Sequence, residues 1–278
     1  MIYTFTLNPG LDYIMEIDDI ETGRINRSRS ETLKAGGKGI NVTKALKELG
    51  IESMACGFEA GTVGRAILEE LNKNEISHNF IEVKGCSRIN VKLKCKKETA
   101  INGRGCMASV EDIDKLCLKI KSTDNDYIVL SGSVCRGIGD NSYAYIMKKV
   151  KGRFIVDASG DLLTNTLKYK PFLIKPNHIE LGEIFNREIA CFKDGIYYGK
   201  RLWEMGAQNV IVSMGKMGAV FVNGSEEYII RSESVDAENT VGAGDTMVAG
   251  FLYKYISGEG YRESLQFAVR LAEDYLKK

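Results

Sequence analysis

Proline, histidine and tryptophan are scarce in this chain: three, two and one in 278 residues. With so few prolines and no low-complexity stretch, there is no room for a long extended linker. The two histidines, His78 and His178, have no cysteine near them in sequence, which argues against a His/Cys metal motif. Seven cysteines form no C-x-x-C pair. That odd, irregularly spaced set, without an export signal, reads as reduced cytosolic thiols. The formal charge of +1 gives no electrostatic case for nucleic acid or an anionic membrane. No run approaches the apolar length of a membrane span, and Met1-Ile2-Tyr3-Thr4-Phe5 turns polar too soon for a signal peptide. The expected location is the cytoplasm. A Walker A loop is missing throughout, and the late Gly242-Ala243-Gly244 has Met247 where a dinucleotide fingerprint needs its third glycine.

What remains is an ordinary globular composition, 44% apolar and 27% charged, long enough for one or two domains. Ile2 to Leu7 reads as a buried strand, while 13–17 and 25–33 alternate as half-exposed strands do. A helix is expected at 38–49, a strand at 53–58 and a helix at 63–73, followed by β-type patterning over 77–83 and 87–101. Within the latter, the lysines of 92–97 could form a phosphate-binding patch, but the run reads better as the solvated face of an exposed strand, with Leu93 and Cys95 inward. Helices at 109–121 and 140–150 then alternate with strands at 126–131 and 153–157. A strand at 171–174, helices at 177–185 and 194–206, a strand at 209–214 and a hairpin over 218–231 follow. Helices at 242–257 and 261–276 close the chain. Such alternation predicts an α/β fold with a mostly parallel sheet and helices on both faces. The two early β-rich stretches break that rhythm.

Two glycine-rich entries into helices carry the chemistry. In Asn239-Thr240-Val241-Gly242-Ala243-Gly244-Asp245-Thr246, a bare turn meets an apolar helix. Free N–H groups and the helix dipole make such a start an anion site, and a carboxylate beside it can take a proton from a hydroxyl. That pairing suits phosphoryl transfer to an alcohol. Taken alone, the same residues are equally well read as a glycine turn before an Asp-capped core helix. The second entry is Ala35-Gly36-Gly37-Lys38-Gly39-Ile40-Asn41, ahead of an apolar face of Val42, Leu46 and Leu49.

These segments resemble the two signatures of the PfkB (ribokinase-like) carbohydrate kinases. The opening Thr6-Leu7-Asn8-Pro9-Gly10-Leu11-Asp12 is similar to that of the phosphosugar branch, which comprises 1-phosphofructokinases and tagatose-6-phosphate kinases. Ser87-Arg88-Ile89-Asn90-Val91-Lys92, Ser131-Gly132-Ser133, Lys175-Pro176-Asn177-His178-Ile179-Glu180 and Val212-Ser213-Met214-Gly215 follow in the family's order, from about residue 2 to about 270. The resemblance implies one ribokinase-like domain over 1–278, with a small β-sheet lid drawn from about 12–34 and 77–105. It implies ATP as donor, Mg²⁺, a phosphorylated ketose as substrate and a homodimer through the lid. Fructose 1-phosphate is the favoured acceptor, with tagatose 6-phosphate or fructose 6-phosphate as alternatives.

By the same resemblance Asp245 is the general base, held ionised by the helix dipole and a metal, while the amides of Gly242, Ala243, Gly244 and Asp245 cradle the phosphoryl group. Asp12, Gly36, Gly37, Lys38, Asn41 and Asn90 fall on the sugar side, although a solvated turn is the plainer reading of Asp12 and an exposed helix start that of Lys38. Arg88, on one strand face with Asn90, suits a phosphate dianion, and Arg24 is a candidate second contact. Lys175, Asn177, Ser213, Gly215 and Thr240 match nucleotide positions, with Glu180 toward magnesium. Asn177 and Glu180 fit a helix cap equally well, and both roles are compatible.

The chain departs from the pattern in three places. Ser133-Val134-Cys135-Arg136-Gly137 has no prolines where the family has two, and Ala100 stands at a usually acidic position. The segment Arg270-Leu271-Ala272-Glu273-Asp274-Tyr275 replaces small residues that ordinarily line the adenine pocket, and the chain ends about thirty residues early. A sugar-phosphate-binding regulator, a degenerate kinase, is the reading from another class.

Overall fold

The structure is a computed structural model, and it describes residues 1–96, 98–233 and 242–277. The elements in chain order are β1 (Ile2–Thr6), β2 (Gly10–Glu16), β3 (Ser30–Gly36), α1 (Lys38–Glu48), β4 (Ser53–Glu59), α2 (Gly61–Lys73), β5 (His78–Glu82), β6 (Arg88–Lys94) and β7 (Thr99–Asn102). Then come α3 (Val110–Leu118), β8 (Tyr127–Ser131), α4 (Ser142–Lys149), β9 (Arg153–Asp157), α5 (Gly160–Thr164), β10 (Leu173–Ile174), α6 (His178–Phe185) and α7 (Phe192–Glu204). Strands β11 (Asn209–Ser213), β12 (Gly218–Asn223) and β13 (Glu227–Arg231) precede α8 (Ala243–Ile256) and α9 (Tyr261–Leu276).

Among the described residues, nine strands form one sheet in the order β13-β12-β11-β10-β9-β8-β1-β4-β5, and four form a second in the order β3-β2-β6-β7. From β5 to β11 every pairing in the large sheet is parallel, and only β12 and β13 are added antiparallel. Side chains of the central strands alternate between two cores. Ile128 and Leu130 pack toward the helices α3 to α7, and Tyr127 and Val129 toward α1, α8 and α9. Helix α2 joins that second face through Ile67 and Leu71. The chain leaves β1 for β4 on one side and returns to β8 on the other. That reversal opens a crevice beyond the carboxyl ends of β1 and β8, where ligands of open α/β sheets bind.

Three expectations are corrected. Residues 78–82, expected in the lid, pair parallel with β4 as the edge of the large sheet. The strand expected from Ile25 begins only at Ser30, because the Asn26 side chain closes a loop by bonding the backbone of Glu21 and Arg24. The short helix α5 was not foreseen; at five residues it offers too little periodicity to read.

Candidate active site

Helix α1 is seated on the end of β1 by its glycines. Gly37, with φ 123°, caps the helix; a Cβ there would lie 2.5 Å from Thr6 Cγ2, and one on Gly39 would lie 2.5 Å from the Phe5 carbonyl oxygen. No larger residue permits this approach. The Ile40 amide donates to Thr6 Oγ1 at 2.9 Å, which turns Asn41 toward α8. There Asn41 Nδ2 donates to Asp245 Oδ2 at 2.8 Å, joining the two glycine-rich segments across 204 residues.

Helix α8 starts at Gly242, left-handed at φ 89°, with the Tyr275 ring packed against it. Among the described residues, the Thr246 amide is the first to bond back, to the Gly242 carbonyl at 2.9 Å. The amides of Ala243, Gly244 and Asp245 therefore precede the helix's own ladder, as an anion-binding start requires. Asp245 is 4% exposed. Burial, helped by the nearby Asp157 charge, pushes its carboxyl up to about 7, against the opposing pull of Asn41, Lys38 and Lys175. Desolvation is thus the strongest influence on this carboxyl, ahead of every neighbouring charge.

Asp157, at the end of β9, was not singled out from the sequence. It is completely buried, with Lys38 Nζ at 3.1 Å and Lys175 Nζ at 3.3 Å from its Oδ1, while its Oδ2 accepts no hydrogen bond among the described residues. Burial alone would raise its carboxyl; the Lys175 and Lys38 charges prevail and hold it below the usual carboxylate range. A carboxylate closing the buried run Phe154-Ile155-Val156 was the signal available, because a parallel strand presents its carboxyl end to the crevice. Lys38 also lies 3.7 Å from Glu180 Oε1. Burial works against its charged form, but Asp157, Glu180 and Asp245 more than compensate and raise its pKa. Lys175 is buried, not open to solvent, with its Nζ 3.1 Å from where a Cβ on Gly244 would stand.

Glu180 and Asn177 form a reciprocal cap on α6: Asn177 Oδ1 accepts from the amides of Ile179 and Glu180, and the Asn177 amide donates to Glu180 Oε2 at 2.8 Å. Ser213 is bridged to Asn177, and Gly215 lies beside His178, so these nucleotide candidates share the outer end of β11. Thr240 lies outside the described residues.

The small sheet covers the crevice from the other side. Asp12 Oδ1 accepts from Asn90 Nδ2 at 2.8 Å, and Oδ2 from Lys92 Nζ at 2.6 Å. A Cβ on Gly36 would lie 2.8 Å from the same Oδ2. Lys92 was expected on a solvated face with Leu93 inward; β6 has the opposite sense, with Lys92 on the Arg88 and Asn90 side. Arg88 is half-buried, and burial lowers its pKa. Among the described residues, its Nε and the buried Ser131 Oγ have no hydrogen-bond partner. Both residues line a cavity of about 270 Å³ with Asn8, Gly37, Lys38 and Glu180. A second cavity, about 460 Å³, runs along Asp12, Asn41, Lys92 and Gly242. Arg24 does not join this cluster; it pairs with Glu21 on the loop between β2 and β3, its side chain 77% exposed. The loop without prolines is tied down by backbone bonds, Ala108 N to Arg136 O at 3.0 Å and Arg136 N to Cys106 O at 3.3 Å.

Comparison with known proteins decides the family. The signature described as pfkB family carbohydrate kinase matches residues 6–274. This chain belongs to that family. It is a phosphotransferase with an alcohol acceptor, built on the ribokinase-like fold. It is 43% identical to a 1-phosphofructokinase of Bacillus subtilis over 91% of this chain and 84% of the relative. To a D-tagatose-1-phosphate kinase of Bacillus licheniformis it is 35% identical, over 96% and 90%. The crystal structure of Escherichia coli phosphofructokinase-2 in complex with fructose-6-phosphate superposes with a TM-score of 0.89 at 26% identity, covering 100% of this chain and 99% of that one. Among the described residues of this kinase, no helix is long and apolar enough to cross a membrane.

Proposed function

We propose that this kinase transfers the γ-phosphoryl group of ATP to a ketose 1-phosphate, with fructose 1-phosphate converted to fructose 1,6-bisphosphate. The observation that carries the phosphosugar reading is Arg88: a half-buried guanidinium whose buried Nε has no partner among the described residues, lining a cavity beside Lys38. An unpaired buried donor is costly unless a ligand satisfies it, and a phosphate does so with charge-assisted bonds. A free sugar has no group for this position. The 1-phosphate reading is favoured over 6-phosphates by relatives at 43% and 35% identity that are both named for ketose 1-phosphates.

In this reading Asp12, Asn90, Gly36, Gly37 and Asn41 hold the sugar, and Asp245 accepts the proton of the attacking hydroxyl. A base with its pKa near the working pH suits that task. The amides of Gly242, Ala243, Gly244 and Asp245 receive the charge of the transferring group, with Lys38 close by. The outer end of β11 and the start of α6 take the nucleotide. The donor set fits Mg²⁺: Asp157 Oδ2 is a buried oxygen with no hydrogen bond, and Glu180 Oε1 lies across Lys38 from it. Mg²⁺ needs only one or two carboxylates beside substrate phosphates, so Asp157 and Glu180 would hold it, where it neutralises phosphate charge. ATP and a phosphorylated sugar as reactants fit a cytoplasmic location.

The reading includes a homodimer through the small sheet. One face of that sheet carries Asp12, Asn90 and Lys92; the other carries Tyr13, Leu33, Ile89, Val91 and Ile101. Leu33, Ile89 and Ile101 are 56%, 44% and 62% exposed, and an apolar face of this kind calls for a partner surface. Coupled ADP release with Mg-ATP tests the activity on fructose 1-phosphate, tagatose 1-phosphate, tagatose 6-phosphate, fructose 6-phosphate and fructose. Turnover with a ketose 1-phosphate is expected. Binding without turnover would favour a sugar-phosphate-binding regulator.

A further inference from the structure

We infer that Lys92 is a positioning residue for sugar recognition, its ammonium holding the Asp12 carboxylate in the orientation that receives the ketose hydroxyls. The inference rests on the reaction proposed above. Pairing of Asp12 with Asn90 and of Ile14 with Lys92 places Arg88, Asn90 and Lys92 on one face of β6, two residues apart. Asn90 donates to one Asp12 oxygen at 2.8 Å and Lys92 to the other at 2.6 Å, with Gly36 against the Lys92-bound oxygen. The Lys92 and Asp12 side chains are only 18% and 14% exposed. An ionised carboxylate has about four acceptor positions, so with two filled from β6 the others stay open to ligand hydroxyls. Without the ammonium, the carboxylate would be fixed at one oxygen only and free to turn.

The residue across the sheet explains why Lys92 reaches Asp12. Its partner on β7 is Ala100, which offers the ammonium no carboxylate. An acidic residue there would lie directly opposite and compete, since cross-strand side chains of opposite charge attract. Asp12 thus depends on what position 100 lacks. The chemistry stands apart from this contact, because Asp245 is held by α8 and Asn41.

The test measures kcat and both KM values by ADP release for Lys92→Met, Lys92→Arg, Ala100→Glu and the Lys92→Met/Ala100→Glu double variant. For Lys92→Met, KM for the ketose 1-phosphate rises on the order of tenfold, as loss of a hydrogen bond between charged groups implies. Its kcat stays within about twofold, with KM for ATP and Tm unchanged, and Lys92→Arg restores most of the sugar affinity. Ala100→Glu raises the sugar KM in the same direction but less, and the double variant is no worse than Lys92→Met. An unchanged sugar KM in Lys92→Met overturns the inference, as does a fall in kcat and Tm that Lys92→Arg does not correct. Should the wild type turn over no phosphoketose, the proposed reaction fails instead. The Kd for fructose 1-phosphate by calorimetry then decides the role of Lys92: weaker binding in Lys92→Met upholds it, and equal or absent binding ends it.

Discussion

The two sheets carry their polar groups in opposite ways. In the large sheet they stand beyond strand ends, where Asp157 and Lys175 are 0% and 3% exposed and bonded to each other. In the small sheet they stand mid-strand, with Asp12, Asn90 and Lys92 on one face and an exposed apolar face behind them. Groups fixed by a buried core keep their geometry with or without ligand, which phosphoryl transfer demands. Groups on a thin sheet with one uncovered face depend on their own cross-strand contacts and on whatever covers that face. On the proposed assignment, chemistry falls to the buried edge of the large sheet and recognition to the half-covered small sheet.

Breaking the rigid edge should cost most. Asp245→Asn keeps the fold and loses about 10²–10⁴ in kcat, the range expected for a general base; near-normal turnover would remove the mechanism. Breaking the cover at Arg88→Leu raises KM for phosphorylated ketoses by about 10–100-fold, leaving KM for ATP in place. Gly242→Ala sharpens the contrast through stability. A left-handed φ and a Cβ 2.6 Å from the Tyr275 hydroxyl should cost at least about 1–2 kcal/mol, read as a lower Tm. On the apolar face, Leu33→Glu with Ile101→Glu should yield monomers by sedimentation if a second copy covers that sheet; an unchanged mass would assign the face elsewhere.

The buried edge also has a pH dependence, set by Asp245. Its carboxyl is raised from 3.8 to about 7 in the folded chain, so the folded state holds a proton that the unfolded state releases across that window. Its contribution to stability is therefore lost as pH rises from about 4 to 7, and Asp245→Asn should melt higher than wild type at pH 8. Each kcal/mol recovered corresponds to about 2–4 °C. In the wild type, kcat/KM should climb with pH to a plateau above about 7.

Much of this was legible in the sequence because glycine and periodicity report on backbone. Gly37 and Gly242 marked helix entries that only glycine can make, and Val42 and Leu46 marked the face of α1 that is buried. Contacts between distant segments were not legible. Nothing local shows that Lys38 and Lys175 meet on Asp157, or that Lys92 turns inward to Asp12 instead of outward to water. The surroundings that set the Asp245 carboxyl are likewise distant in sequence: burial and Asp157 raise it, while Asn41, 204 residues away, pulls it down. A lysine-rich strand looks solvated until its pairing register is known.

The most direct measurement compares ADP release on fructose 1-phosphate and on fructose, for wild type and Arg88→Leu. A wild-type preference for the phosphorylated sugar, collapsing by about 10–100-fold in Arg88→Leu, is the result expected from a half-buried guanidinium that receives a phosphate. Equal use of both sugars by the wild type, or a preference untouched by the substitution, would contradict it.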